Sequence, residues 1–436
     1  MKEVVAGIPV NEQTQEALDA FHANIKTNFG VSLGFISKIA RNLRSQLLLQ
    51  QFNHDDLNAF IVKINEIGHG KYHTHLYAEG DTSALNVPVI HPEYAENPKK
   101  EVGYQILNTY FDHLFSTNDK AVAFGEDVGT IGDVNQGFAG LQEKYGIERI
   151  WDEGIREWSI MGQSIGLSQR GFRPIAEIQY LDYIVYGLEP LVDDLTTVRY
   201  RSNGIQKAPA IIRTRGHRLE GIWHAGSPMG MLTHALRGMY LAVPRNMVQA
   251  VGIYNTLMQA DDPALVIEPL NSYRYREALP QNIGEYTVPL GRPDIITEGK
   301  DITVVTYGSM VRIAETAVNE LSKHGINVEL IDIQTLLPFD VEHSIVESLK
   351  KTNKIIFLDE DIPGGATSYM MQQVLEVQGG YKYLDSTPLS VTAHEHRTPF
   401  GSDGDYFTKP NEQDVFEAVY KVMHQYDPAS FPVNIV

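Results

Sequence analysis

The sequence predicts an α/β protein in which two doubly wound sheet domains follow an N-terminal helical segment. Three observations carry that prediction. Apolar residues recur at three and four positions, without alternation, up to about residue 68. Beyond Glu101, short β-branched runs alternate with amphipathic stretches, the pattern of a parallel sheet covered by helices. A Pro/Gly-rich stretch, "EYTVPLGRPDIITEGKD", then interrupts the alternation, which starts afresh after it. A chain of 436 residues is also too long for one ordinary core.

Taken in order, Ala17, Leu18, Phe21 and Ile25, then Leu33, Ile36, Ile39, Leu43 and Leu47, mark one face each of amphipathic helices. Residues 70–100, with "NVPVIHPEYAENPKK", read as an extended connector, so residues 1–100 form the first division. The second, 101–290, opens with a helix carrying Tyr104, Leu107, Tyr110, Phe111 and Leu114 before the strand "AVAFGED". The helix holding Gly162 precedes "PIAEIQY", an acid-rich helix from Leu181 to Arg201 precedes "PAIIRTR", and "ALVIEP" closes the domain. The third, 291–436, runs through "ITVVTYG", a helix from Val311 to Lys323, "NVELIDI", a helix from Glu342 to Lys351, "KIIFLDE", a helix beginning near Gly365, and "LSVTAHE".

Composition removes several functions. With 36 basic against 55 acidic residues and a formal charge of -19, the chain has no basic surface to neutralise nucleic-acid phosphates. Arg199, Arg201, Arg213, Arg215 and Arg218 fall close together and form either a local basic pocket or, as surface charge ordinarily does, a solvated face paired with nearby acids. No apolar run approaches a membrane span and Met1 to Val10 lacks a secretory design, so a cytoplasmic protein with no membrane partner is expected. The absence of cysteine eliminates disulfides, thiol nucleophiles and Cys-based zinc sites.

Several stretches invite chemistry. Gly162-Gln163-Ser164-Ile165-Gly166 matches the G-x-S-x-G of a nucleophile elbow, but that elbow needs a strand turning sharply into a helix. Here "DEGIREWSIM" reads as a helix already begun, so Ser164 is structural and Gly162 and Gly166 suit close helix packing. Glu157, flanked by Ile155, Trp158 and Ile160, either faces an apolar cleft, where desolvation raises its pKa, or lies in solvent at the helix start. His217, His224 and His234 occur in "RTRGHRLEGIWHAGSPMGMLTHAL" after a predicted strand, where open α/β sheets place ligand contacts. Their spacing suits no zinc site, and His224 is the best acid/base candidate. His394 and His396 read as loop histidines. "GEDVGTIGDVNQGF" does not fit G-x-G-x-x-G, no P-loop exists, and Gly364 and Gly365 before a helix are a candidate anion cradle.

In order along the chain, "FGEDVG", "KYGIERIWDEGIREWSIMGQSIGLSQRGFRPIAEIQYLDYI", "RYRSNG", "WHAGSP", "DPALVIEP", "ITVVTYGS", "VELIDIQTLLPFD" and "DEDIPGGATS" resemble the β subunit of the decarboxylating component of 2-oxoacid dehydrogenases. This thiamin-diphosphate family is related to transketolase, and the likeness runs from about Glu101 to the C-terminus. It implies a pyrimidine-binding domain followed by a transketolase-type C-terminal domain. It implies that Glu157 hydrogen-bonds the aminopyrimidine ring, that Ile155, Gln179 and Tyr183 line the pocket with Glu126 close by, and that His224 guides acyl transfer to a lipoyl group. "AEIQYLDY", "RYRSNG" and "HAGSP" favour a branched-chain 2-oxoacid over pyruvate.

The family's Mg²⁺-diphosphate motif, Gly-Asp-Gly with a later Asn, is missing from the sequence, which leaves no metal residue to assign here and implies that Mg²⁺ comes with an α partner. The expected assembly is two α and two β chains, or a dimer of fused chains, serving a lipoyl-bearing acyltransferase. Residues up to Lys100 depart from a plain β subunit and read equally as the tail of a fused α region. Ala260 stands where the family's alkali-metal site needs a carboxylate beside Asp262, which puts potassium in doubt. A transketolase-like or acetoin-cleaving enzyme and a non-catalytic assembly module are the alternatives.

Overall fold

The computed structural model describes residues 2–12, 14–26, 32–217, 224, 226–399 and 401–433. The chain divides into two compact units, Met1–Leu76 and Tyr77–Val436. In the first, helices Lys2–Ala6, Gln15–Lys26, Leu33–Leu49 and Asp55–Tyr72 enclose Leu18, Phe21, Ile39, Leu43, Leu47 and Leu57. Each of the two long helices starts at a side-chain cap that satisfies an orphan backbone donor: Ser32 Oγ accepts from Phe35 N at 3.1 Å and His54 Nδ1 from Leu57 N at 3.2 Å.

The second unit holds fourteen strands among its described residues. They are β1 (Lys100–Val102), β2 (Ala121–Gly125), β3 (Ile150–Asp152), β4 (Arg173–Ile178), β5 (Ile211–Gly216), β6 (Tyr240–Ala242), β7 (Ala264–Pro269), β8 (Arg276–Ala278), β9 (Asp294–Thr297), β10 (Ile302–Thr306), β11 (Val328–Asp332), β12 (Thr335–Leu337), β13 (Ile355–Leu358) and β14 (Leu389–Val391). β2, β5, β7, β10, β11 and β13 are buried throughout, which is why they read as continuous apolar runs. One sheet has the order β12-β6-β7-β5-β4-β2-β3, a second β14-β13-β10-β11-β9, and β1 pairs with β8. Pairing within the two large sheets is parallel except for the edge pairs β12 with β6 and β9 with β11.

Three features differ from the sequence reading. Leu181 to Arg201 is not one helix: a 3-10 turn (Leu181–Tyr186), a π turn (Pro190–Leu195) and a short α-helix (Val198–Arg201) replace it. Pro190 has no N–H to continue a helix begun earlier, and its ring crowds the preceding turn. The Pro/Gly-rich break contains β9, and β12, from beyond that break, completes the edge of the first large sheet. The stretch after Leu76 is pinned along its course: Ala78 N donates to Asp262, Ile90 N to Thr287 Oγ1 at 2.9 Å and Glu93 N to Asn282 Oδ1 at 2.8 Å.

The arginine cluster is the largest departure. Arg213 and Arg215 are 0% exposed, not on a solvated face, while Arg218 lies outside the described residues. Both project from β5, where two residues apart means the same face. Arg213 reaches Asp133 at 2.9 Å, Glu177 at 2.7 Å and Glu268 at 2.7 Å, while Arg215 reaches Asp133 at 2.8 Å and Glu177 at 2.9 Å. The guanidiniums stay charged because these carboxylates outweigh the desolvation that opposes them. Removing one partner strands the others, so Arg213→Met should lower unfolding free energy by about 3–5 kcal/mol, measured by denaturant titration. A change within about 0.5 kcal/mol, as at an ordinary surface site, would contradict the network's role.

Candidate active site

β2 lies between β3 and β4, so the chain leaves β2 toward one side while β4 leads on to β5 on the other. Strand order reverses there, and a crevice opens at the carboxyl ends of β2 and β4. Glu126 follows the last residue of β2, Gln179 the last residue of β4, and Glu157 begins the helix Glu157–Gln169 that follows β3. The two strands approach so closely that a Cβ on Gly125 would lie 2.8 Å from the Glu177 backbone oxygen, and only glycine fits.

Glu126, Ile155, Glu157, Gln179 and Tyr183 all line one open cleft of about 680 Å³. Glu126 and Glu157 are both buried, and Glu157 lines the cleft rather than lying in open solvent. Burial, reinforced by the charges of Glu157, Asp127 and Glu177, pushes the Glu126 carboxyl up to about 7. Tyr183 is raised by burial and by nearby Tyr180, Asp182 and the two cleft glutamates. Gln179 is oriented from two sides: its Nε2 donates to Asp127 Oδ2 at 3.0 Å, and its carbonyl accepts from Arg215 at 3.1 Å.

His224 stands beside this cleft. Tyr180 stacks on its ring at 4.2 Å and 17°, and Tyr183 meets it edge-on at 5.4 Å and 83°. Tyr183 therefore touches both the cleft and the histidine. Nδ1 of His224 is buried and has no hydrogen-bond partner among the described residues. Trp223 lies outside them. Tyr180 was missed in the sequence, although it sits inside the "AEIQYLDY" stretch that located its neighbours.

The remaining candidates do not join the cleft. Ser164 is buried in mid-helix with Oγ donating to the Met161 carbonyl at 2.7 Å, so no elbow exists. A Cβ at Gly162 or Gly166 meets nothing within 4 Å in this chain, so neither glycine packs closely against a helix of its own chain. His234 is exposed, and His394 and His396 stack on each other at 5.9 Å in an exposed loop. The Gly364-Gly365 turn is no anion cradle: a Cβ on Gly365 would lie 2.1 Å from the Asp361 carboxylate, which already occupies that space. In "GEDVGTIGDVNQGF" the backbone donors are likewise taken, Gly129 and Thr130 by Asp152 and Gly137 by Asp133.

Among the described residues no group of three His, Asp or Glu side chains is placed to hold a metal. The alkali-metal position does not fit a cation. Asp262 accepts Ala78 N and the Arg199 guanidinium at 2.9 Å, and Arg173 donates to the carbonyls of Ala260 at 2.9 Å and Leu257 at 2.7 Å. Two guanidiniums supply the positive charge that a metal would bring.

Parallel sheets with carboxylates, an amide and a tyrosine converging at a topological switch point define a doubly wound α/β protein with a ligand crevice at its strand ends. Residues 104–276 match the pyrimidine-binding domain of transketolase and residues 291–407 its C-terminal domain. The β subunit of mitochondrial 2-oxoisovalerate dehydrogenase from Dictyostelium discoideum is 33% identical over 83% of this chain and 98% of its own. The pyruvate dehydrogenase E1 β subunit of Bacillus subtilis (strain 168) is 31% identical over 70% of this chain and 93% of its own. A split-gene transketolase, solved as an inactive β4 tetramer, shares the fold with a TM-score of 0.58 at 21% identity, covering 75% of this chain and 99% of that one. The chain belongs to the E1 β-subunit family of 2-oxoacid dehydrogenases, and membership implies a cofactor of the thiamin diphosphate type and an α-type partner. No described helix is long and apolar enough to cross a membrane.

The raised Glu126 sets a pH dependence. Between pH 4.5 and about 7 the folded chain keeps a proton that the unfolded chain has released, so stability falls as pH rises through that window. Glu126→Gln should raise the melting temperature by a few degrees at pH 8 and hardly at all at pH 4.5. Equal shifts at both pH values in scanning calorimetry would contradict the burial.

Proposed function

We propose that this chain supplies half the active site for oxidative decarboxylation of a 2-oxoacid, branched-chain acids before pyruvate, with transfer of the acyl group to a lipoyl domain. The observation that carries the proposal is the pair of buried carboxyls, Glu126 and Glu157, facing one cleft with Tyr183 and Gln179. A flat, nitrogen-bearing ring suits such a cleft: an aromatic wall to stack on, an amide to orient it and an acid to share a proton with a ring nitrogen. The branched-chain preference is supported by the 33% identity to the 2-oxoisovalerate enzyme over the longer stretch.

Thiamin diphosphate, when bound, supplies the nucleophilic carbon and the electron sink that decarboxylation requires. Glu157 holds a proton against the aminopyrimidine nitrogen, Ile155 and Tyr183 pack the ring and exclude water, and Gln179 and Glu126 fix its edge. His224 delivers a proton to one lipoyl sulfur as the other takes the acyl group, so the 2-oxoacid and the oxidised disulfide yield carbon dioxide and an acyl-dihydrolipoyl thioester. Mg²⁺ and the diphosphate fall to the α partner.

The rim supports a partner-completed cleft. Ile155 is 85% exposed, Trp158 55% and Tyr186 64%, a set of apolar groups gathered at the mouth of a polar site. Two α and two β chains, or a dimer of fused chains, would cover them. Mixed with an α subunit, thiamin diphosphate and Mg²⁺, the wild-type chain should reduce an artificial electron acceptor with 3-methyl-2-oxobutanoate faster than with pyruvate. Glu157→Gln should cost about 10²–10⁴-fold in turnover. Near-normal turnover in that variant would sink the mechanism, and acetoin as the preferred substrate would sink the substrate class.

A further inference from the structure

The described chain on either side of His224 makes a series of hydrogen bonds, and three successive acids from the other large sheet accept most of them. Those acids, Asp359, Glu360 and Asp361, follow directly after β13. His217, just past β5, meets Asp359 through Nε2 at 2.9 Å, and Tyr307 O–H donates to the other oxygen of the same carboxylate at 2.6 Å. The backbone N–H of Ser309 donates to His217 Nδ1 at 3.1 Å. That donation makes Nδ1 the acceptor, so Nε2 carries the proton and donates the hydrogen bond that Asp359 accepts. A Cβ at Gly308, whose φ is +56°, would lie 2.6 Å from Nδ1, so glycine is required for the approach.

Beyond His224, Ser227 Oγ donates to Glu360 Oε1 and Gly230 N donates to Asp361 Oδ2 at 3.0 Å, while Gly226 N donates to Asp182 at 3.0 Å. Asp359 and Glu360 are buried, and so are His217 and Ser227. Charge-assisted hydrogen bonds away from water are the strong ones, and a buried donor stripped of its partner bears the full cost of its desolvation. The Ser309-His217-Asp359 series has the residue types of a hydrolytic triad, yet all three side chains are buried, so it acts as a clasp and not as a nucleophile.

We propose that Asp359, Glu360 and Asp361 are positioning residues for His224: they tie the chain on both sides of it to the C-terminal domain and aim its ring at the cleft. This rests on the reading of His224 as the acyl-transfer acid. The clasp explains why a histidine on a glycine-rich stretch stays stacked between Tyr180 and Tyr183. It also gives the C-terminal domain a direct part in the second half-reaction.

Hydrogen exchange on the whole chain tests the clasp without any turnover. Glu360→Ala and Asp361→Ala should each speed exchange in peptides spanning 224–232 and leave β5 and β10 unchanged, and Glu360→Gln, which keeps an acceptor for Ser227, should restore most of the protection. In the reconstituted complex, Glu360→Ala should slow reductive acylation of a lipoyl domain by about 10–100-fold, the cost of an ångström-scale misplacement. Decarboxylation read with an artificial acceptor should change far less. Unchanged exchange in both alanine variants overturns the clasp, and an equal fall in both half-reactions overturns its tie to His224. A wild-type complex that never decarboxylates defeats the functional reading instead, while the exchange result still decides the clasp.

Discussion

The structure depends on burying two guanidiniums beneath a cleft. Arg213 and Arg215 project from one face of β5 into a space sealed from water, and Asp133, Glu177 and Glu268 neutralise them there. Three carboxyls surround two guanidiniums just under the site, and Glu177, after burial itself, contributes to the repulsion that raises Glu126. The same network reaches the cleft mechanically, because Arg215 holds the carbonyl of Gln179. Charge buried for packing thus also tunes and aligns the residues that face the cleft.

Topology decides where those residues meet. Reversal of strand order beside β2 gathers side chains from three separate strand ends, and the helix starting at Glu157 sets a carboxyl at the same edge. Tyr183 then joins the cleft to His224, which in turn is secured from the second sheet through the acids after β13. Both large sheets therefore contribute to one site, and β12 crosses into the first sheet to link them further. The apolar rim around Ile155 and Trp158 stays exposed in this chain, where the proposed partner would cover it.

Much of this was legible in the sequence, for identifiable reasons. The long buried strands show as apolar runs, and Glu126, Ile155, Glu157, Gln179 and Tyr183 sit in ordered stretches that carry a family resemblance, so their gathering in one cleft could be expected. Strands of three residues, such as β3, β6 and β12, are too short to display a period. The burial of Arg213 and Arg215 was invisible because their partners lie far off in the chain, Asp133 being 80 residues from Arg213. The run from Leu181 to Arg201 has helical composition, yet Pro190 breaks it. "DEDIPGGATS" drew attention to its glycines, whereas its acids make the contacts. Pairing across sheets is a property of the fold and leaves no local pattern.

The central claim is that a buried acid in this cleft shares a proton with the ring nitrogen of the cofactor. Isothermal titration of thiamin diphosphate into the complex with the α partner, repeated at pH 8 in buffers of different ionisation enthalpy, measures proton exchange directly. The account predicts net proton uptake on binding in the wild type and its loss in Glu157→Gln. Binding with no proton uptake in the wild type, or with the same uptake in the variant, would contradict it.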